Sequence, residues 1–347
     1  MKKGLLAVAV AGALTMGAAQ AETSIYGSIR YDYNNFKQIS EDEHGNLVKG
    51  DRVSDLQDQG SRIGIKGSED LGNGLALVFK LEWGFDGMEG LNKGDGFKNR
   101  IAMLGLAGDW GTFAVGRLDN PFKQTIVDGS VIDDFNSRWS NSSANAAFNG
   151  SWGLDNGSLD RVGNAVAYIT PEFSGFSANA AIIMDAEDKT NFGREKHLDV
   201  WTINAQYQHE LGFYGKAGYI QGKLGAANED VDKSKAWGAQ LGYKQDQFGA
   251  TFSYADGKTG NLKDKGWDLG GYFAFGNDYS SIIRANYGQD KPKVDGQGEK
   301  TKRWALGFQQ NLSERTRVWV EYGEERIKQN GETFKDNGLS IGIRHDF

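Results

Sequence analysis

Apolar residues fall on alternate positions through most of this chain, the pattern of strands that carry one apolar face. "SIYGSIRYDY" sets Ile25, Gly27, Ile29, Tyr31 and Tyr33 on one side, and Tyr26, Ser28, Arg30 and Asp32 on the other. "NGLALVFKLEWGF" sets Leu75, Leu77, Phe79, Leu81, Trp83 and Phe85 against Ala76, Val78, Lys80, Glu82 and Gly84. The alternation returns over 201–207, 237–243 and 248–254, and again in "GLSIGIRHDF", with Leu339, Ile341, Ile343 and Phe347 on one face.

About sixteen such segments can be counted, centred near residues 29, 64, 79, 103, 115, 166, 179, 204, 217, 240, 252, 271, 283, 306, 320 and 343. Each approaches the roughly 10 residues that a tilted strand needs to cross a bilayer. "RIAMLGLAGDWGTFAVGR" is apolar on both parities, so its facing stays open, and a bulge would fit there. Tight links such as "SEDLGNG", "AGDWG", "TPEFSG", "HELG" and "NLSE" alternate with polar excursions near 37–59, 86–98, 119–161, 185–197, 222–234, 256–265, 288–301 and 325–337. Short turns at one end and long loops at the other predict an all-β fold: a transmembrane antiparallel β-barrel of the outer-membrane type, with 16 strands. Aromatic residues gather at strand ends, as two interfacial girdles require. A soluble β-sandwich is the competing reading, but it would scatter aromatics along its strands and rarely reaches this size.

Composition sharpens the choice. Only 3 prolines occur, all in turn-like stretches, so the hydrogen-bonded ladders run uninterrupted. With 0 cysteines the chain is not a disulfide-stapled secreted scaffold. The mean hydropathy of −0.55 is that of a soluble protein. After the first 21 residues no apolar run reaches about 18, which excludes a helical membrane protein and leaves a barrel open. Those first residues combine Lys2 and Lys3, a short apolar run and Ala19-Gln20-Ala21. They read as a signal peptide over 1–21, cleaved before Glu22, with 22–347 as one barrel domain.

If the apolar set faces lipid, the other set faces a wet lumen. By parity its basic residues are Arg30, Arg62, Lys66, Lys80, Lys216, Arg284, Arg303 and Arg344, against the acids Asp32, Glu82, Asp268 and Asp346. The excursion at 119–161 is long enough to expect a function. Phe122, Ile126, Val127, Val131, Ile132, Phe135 and Trp139 would be wasted in solvent, but could pack that loop against the inner wall. Asp128, Asp133 and Asp134 would then confront the basic wall across a narrowed lumen, and opposed charges favour small polar solutes over apolar ones.

The chain resembles the general diffusion porins of Neisseria-like and related Gram-negative proteobacteria. The resemblance rests on "SIYGSIRYDY", "GSRIGIKGSEDLGNGLALVFKLEWGF", "GTFAVGRLDNPF", "RVGNAVAYITPEFSGFSANAAI" and "GIRHDF", which together span the chain. It implies a sixteen-stranded barrel in the outer membrane, assembled as a homotrimer, with the third long loop folded into the lumen. A pore constriction would set Asp128, Asp133 and Asp134 against Arg30, Arg62, Lys80 and Arg117. Arg117 matches the family's Gly-Arg motif, while parity leaves its direction open. Ala165 and Ala167 stand where the family often has a basic residue. The implied partners are outer-membrane lipid, small hydrophilic solutes and ions, and an assembly machinery that recognises Phe347. Neither a cofactor nor a metal is expected, and no basic, aromatic-studded patch points to nucleic acid.

Catalysis has little to build on. There are 4 histidines, of which His44 and His197 fall in long loops, and no Gly-x-Ser-x-Gly elbow occurs. The reading is therefore a passive channel and not an enzyme. An exported adhesion barrel, whose long loops recognise a partner, is the alternative.

Overall fold

Among the described residues, nineteen strands join one antiparallel sheet that closes on itself. The computed structural model describes residues 22–43, 47–88, 96–154, 159–184, 200–223, 232–294, 297–298, 300–329 and 331–347. Residues 1–21, the stretch expected to be a signal peptide, lie outside them, as do His44 and His197. The strands are β1 (Glu22–Glu41), β2 (Leu47–Asp58), β3 (Arg62–Gly72), β4 (Leu75–Gly84), β5 (Lys98–Gly108), β6 (Gly111–Asp119), β7 (Arg161–Ile169), β8 (Phe176–Ile183), β9 (Val200–Gln208) and β10 (Phe213–Lys223). They continue as β11 (Lys233–Lys244), β12 (Phe248–Thr259), β13 (Leu262–Phe275), β14 (Ser281–Asp290), β15 (Lys293–Val294), β16 (Gln297–Gly298), β17 (Lys300–Asn311), β18 (Thr316–Gln329) and β19 (Glu332–Asp346). Helices α1 (Pro121–Ile126) and α2 (Ser143–Ser151) lie between β6 and β7.

β2 and β3 are two lengths of one wall strand, since β1 pairs with β3 over 22–28 and with β2 from Tyr31 onward. β15 and β16 form a small hairpin in the link between β14 and β17. The wall is thus a closed antiparallel barrel of sixteen strands, and each expected centre falls in a different one. Closure runs through β1 and β19, with Ser28 opposite Asp346 and Lys37 opposite Asn337. Every wall strand has two neighbours, so no backbone edge is left facing lipid.

Alternation sorts the residues as the sequence requires. Leu241, Leu269 and Leu306 are 62%, 53% and 52% exposed on the outer face, while their inward neighbours Gln240, Asp268 and Ala305 are buried. Aromatic pairs ring the outside at two levels. Trp201–Tyr219, Trp237–Tyr254, Trp267–Tyr287 and Trp304–Tyr322 lie toward the long loops. Trp110–Tyr168, Phe176–Tyr207 and Phe213–Tyr243 lie toward the short turns.

One expectation is overturned, at two polar excursions, and the facing left open near 103 and 115 is resolved. The polar excursions at 37–59 and 325–337 are largely ladder: Ser40 pairs with Val48, and Gln329 with Glu332. A two-stranded ribbon that rises into water on both faces loses its apolar alternation, so it reads as loop. Around 103 and 115, Leu104, Leu106, Phe113 and Val115 face out, while Ile101, Met103, Ala107 and Ala114 face in and are buried. Both faces are apolar there because the inner one is covered by the 120–160 segment. Irregularities bracket the stretch, between Glu82 and Trp83 and between Gly116 and Leu118.

Candidate functional site

The segment between β6 and β7 lies on the inward-facing positions of the wall. Asn120 starts α1 by accepting the Phe122 N–H at 3.0 Å, and Pro121 sits at the first helical position, where no N–H is needed. Phe122, Ile126, Val127, Phe148 and Trp152 pack as one buried cluster with Val78, Ile101, Met103 and Ile220 of the wall. Val131, Ile132, Phe135 and Trp139 form a second cluster with Ala305. All seven apolar residues expected to pack the loop against the inner wall are buried. Glycines on the inward face make this approach possible. A Cβ at Gly323 would meet the Trp139 ring, and one at Gly238 would meet the Ile126 side chain.

Two buried wall carboxylates tie the segment down by accepting its backbone N–H groups. Glu321 of β18 accepts from Asn136 at 2.9 Å and from Ser137 at 3.0 Å. Asp268 of β13 accepts the Ser143 and Ala144 N–H groups at 3.1 and 3.0 Å, together with the Ser142 hydroxyl at 2.6 Å. These are the otherwise unpaired donors at the start of α2, and a carboxylate suits the positive end of the helix. Thr251 accepts the Val131 N–H at 2.8 Å, and Arg138 pairs with Asp336 at 2.5 Å.

The three loop acids sit in front of β10 and β11. Asp128 pairs with Lys123 at 3.0 Å, and its carbonyl accepts from Lys216 Nζ at 2.5 Å. Asp134 pairs with Lys244 at 2.8 Å. Asp133 is exposed to the lumen and, among the described residues, has no cation within ion-pair distance. Enclosure by the barrel, with Asp128 and Asp134 beside it, pushes its carboxyl up to about 6 against the pull of Lys123 and the Gly129 N–H. The carboxyl remains open to lumen water, which screens these effects.

The basic residues gather on another wall. Glu82 is a hub that takes Arg100 at 2.6 Å, the Tyr26 hydroxyl at 3.0 Å, Lys80 at 3.9 Å and Arg62 at 4.0 Å. Beside it, arginines face one another across three strands. Arg30 of β1 is opposite Arg344 of β19, which is opposite Arg317 of β18. Like charges directly opposite are unfavourable. Here Asp346 accepts from Arg344 and Arg317 at 2.7 Å each, and Arg30 donates to the Ser28 hydroxyl at 3.0 Å. From β1 to β10 is eight steps around a sixteen-strand ring, so the loop acids and this arginine row lie across the diameter.

Arg30, Arg62 and Lys80 therefore share one wall, and Asp128, Asp133 and Asp134 share the other. Arg117 joins neither. It pairs with Ala102 in register, on the parity of the outward Leu104 and Val115, and among the described residues it makes no ion pair. Arg100 and Arg317 belong to the basic wall but escape the parity count. Arg100 lies at a register shift in the β4–β5 ladder, and Arg317 lies at the first turn-side residues of β18. Parity also misses inward acids. Asp264, Asp290, Glu321, Glu325 and Asp336 face in, but they lie under the loop or are held by Arg303, Arg284 and Arg138. Among the described residues, no three His, Cys, Asp or Glu side chains are placed to hold a metal ion.

A family model described as Gram-negative porin matches residues 6–330. An outer membrane porin protein of Bordetella pertussis is 28% identical, with both chains covered completely. Major outer membrane protein P.IB of Neisseria gonorrhoeae is 33% identical over 223 residues, covering 64% of this chain and 58% of that one. In fold, an anion-selective porin from Comamonas acidovorans superposes with a TM-score of 0.73 at 21% identity, covering 94% of this chain and all of the other. The Salmonella typhi OmpF in complex with daunomycin gives 0.74 at 16% identity, over 94% and 97%. With a sixteen-stranded barrel and a family match along nearly its whole length, this chain belongs to the Gram-negative porin family.

Proposed function

We propose that the protein is an outer-membrane porin, a water-filled channel that passes small hydrophilic solutes and ions down their gradients without turnover or cofactor. One observation carries the reading: an arginine row, Arg30–Arg344–Arg317, stands across the lumen from an inward segment bearing Asp128, Asp133 and Asp134. The constriction would use those acids with Arg30, Arg62 and Lys80, joined by Arg100, Arg317 and Arg344 and without Arg117.

The same groups support a preference for anions. On the loop side, Lys123, Lys216 and Lys244 offset the three aspartates, whereas on the opposite wall, among the described residues, the acids Asp32, Glu82 and Asp346 are outnumbered by Arg30, Arg62, Arg100, Arg317, Arg344 and Lys80. The fold relative from Comamonas acidovorans is itself named anion-selective. We also propose cleavage of the leader before Glu22, assembly as a trimer, and recognition of Phe347 during insertion.

Reversal potential of the purified protein in planar bilayers under a KCl gradient tests channel and preference together. The expected result is stable open-channel steps with a potential of anion-preferring sign. Lack of steps would overturn the channel reading in favour of loop-mediated adhesion, and a cation-preferring sign would overturn the charge assignment.

A further inference from the structure

A hollow of about 40 Å³ lies between the inward segment and the barrel wall. Its wall side is a row across three strands: Arg303 of β17 is directly opposite Glu325 of β18, which is directly opposite Asp336 of β19. Arg303 adjoins Trp304 of the aromatic ring nearer the long loops, which fixes the height of the row. Arg138 and Trp139 line the segment side, and Ile132 adds an apolar surface. Three of these residues hold buried polar atoms that nothing pairs among the described residues: the Arg138 Nη1 and Trp139 Nε1 donors and the Asp336 Oδ1 acceptor. Trp139 and Asp336 are each only 9% exposed. The hollow still reaches lumen water, because the Arg138 and Glu325 side chains remain 28% and 25% exposed.

A buried polar group without a partner is destabilising, so three around one hollow need a common explanation. Charge balance selects it. Arg138 pairs with Asp336 at 2.5 Å and Arg303 with Glu325 at 2.6 Å, so both acids already have a counter-charge. An added carboxylate or ammonium group would meet a neutralised pair. A hydroxyl donates once and accepts twice, so neighbouring hydroxyls can use the free guanidinium and indole N–H groups and the free carboxylate oxygen together. The space takes about three water-sized groups. We propose that this hollow is a binding subsite for the vicinal hydroxyls of a small neutral polyol, at the long-loop end of the lumen. The inference names a solute class for the channel and rests on that reading.

The test uses the folded protein in micelles of a detergent without a sugar headgroup, with xylitol as probe and serine and malate for comparison. Saturation-transfer NMR reads which solute binds. Wild type should give a xylitol signal that saturates with concentration and exceeds those of the zwitterion and the anion. Trp139→Phe keeps the ring over Gly323 and removes one donor, and Asp336→Asn replaces the free acceptor by a donor. Each should weaken xylitol binding by about fivefold, the worth of one hydrogen bond. Folded gel mobility of the variants separates lost binding from lost structure, and the wild-type titration decides the matter without them. A wild-type signal that rises linearly would mean that the hollow holds water only, and would overturn the proposal. So would serine or malate binding as tightly as xylitol, or unchanged affinity in both variants. Open-channel steps in planar bilayers require no polyol, so their presence or absence judges the porin reading separately.

Discussion

The ring of Phe347 covers Gly27 across the seam of the barrel. Their backbones exchange two hydrogen bonds, Gly27 N–H to Phe347 O at 3.0 Å and Phe347 N–H to Gly27 O at 3.1 Å. A Cβ at Gly27 would sit 2.5 Å from both the Phe347 ring and the Arg62 carbonyl. Gly27→Leu should therefore push the ring away from the seam and cost about 1–3 kcal/mol by overpacking. The midpoint of heat-induced unfolding, read from the mobility shift in gel electrophoresis, should fall. An unchanged midpoint would mean the ring does not fill that space.

The two faces of the wall make opposite demands. Leu269 lies outward near the middle of β13, two residues below Trp267, so Leu269→Arg should destabilise the barrel by about 2–4 kcal/mol. Leu77 shares the outward parity of β4 but lies close to the turn at Asn73 and Gly74, so the same change there should cost about 0–1 kcal/mol. Lys80→Leu, on the inward face, should fold normally and alter conductance. Chemical unfolding from detergent micelles separates the three. Similar losses at Leu269 and Lys80 would refute the inside–outside assignment.

How much of this was legible follows from what faces water. Where the lumen is wet, alternation is clean, and it places Arg30, Arg62, Lys80 and Arg344 from sequence alone. It fails where the inner wall is dry. Ile101, Met103 and Ala114 face in, yet they are as apolar as lipid-facing Leu104, because α1 and its neighbours cover them. The same failure hid Arg100 and left Arg117 undecided, since both sit at irregularities that break the count. Pairing of Asp134 with Lys244 of β11, and of the Asp128 backbone carbonyl with Lys216 of β10, was also invisible, because parity ranks faces and not heights.

Asp133 should make selectivity depend on pH. Its folded-state value is raised to about 6, so the carboxylate is charged at pH 7 and becomes neutral as pH falls through that value. Loss of one negative charge leaves the lumen more positive, so anion permeability relative to cation should rise between pH 7.5 and 5. Asp133→Asn should abolish the pH-dependent difference from wild type in that window, and Asp133→Lys with Asp134→Lys should favour anions at all pH. Reversal potentials recorded at fixed salt check both. A wild-type curve that parallels Asp133→Asn would show that this carboxylate does not face the ion path.

The inward segment is held by Glu321, and removing that anchor should free it. Glu321 is fully buried, accepts the Asn136 and Ser137 N–H groups, and lies 3.8 Å from Arg284. Glu321→Ala would leave two donors unsatisfied and Arg284 without its counter-charge, a loss of about 3–5 kcal/mol. The wall strands keep their ladders, so the loss should appear as release of residues 131–140 and not as collapse of the barrel. The chain has 0 cysteines, so Ser137→Cys gives a single reporter thiol. It should react slowly with a small maleimide in the parent and at least tenfold faster with Glu321→Ala, accompanied by higher and noisier channel current. Equal labelling rates with quiet current would mean that packing of Phe135 and Trp139 holds the segment without the carboxylate.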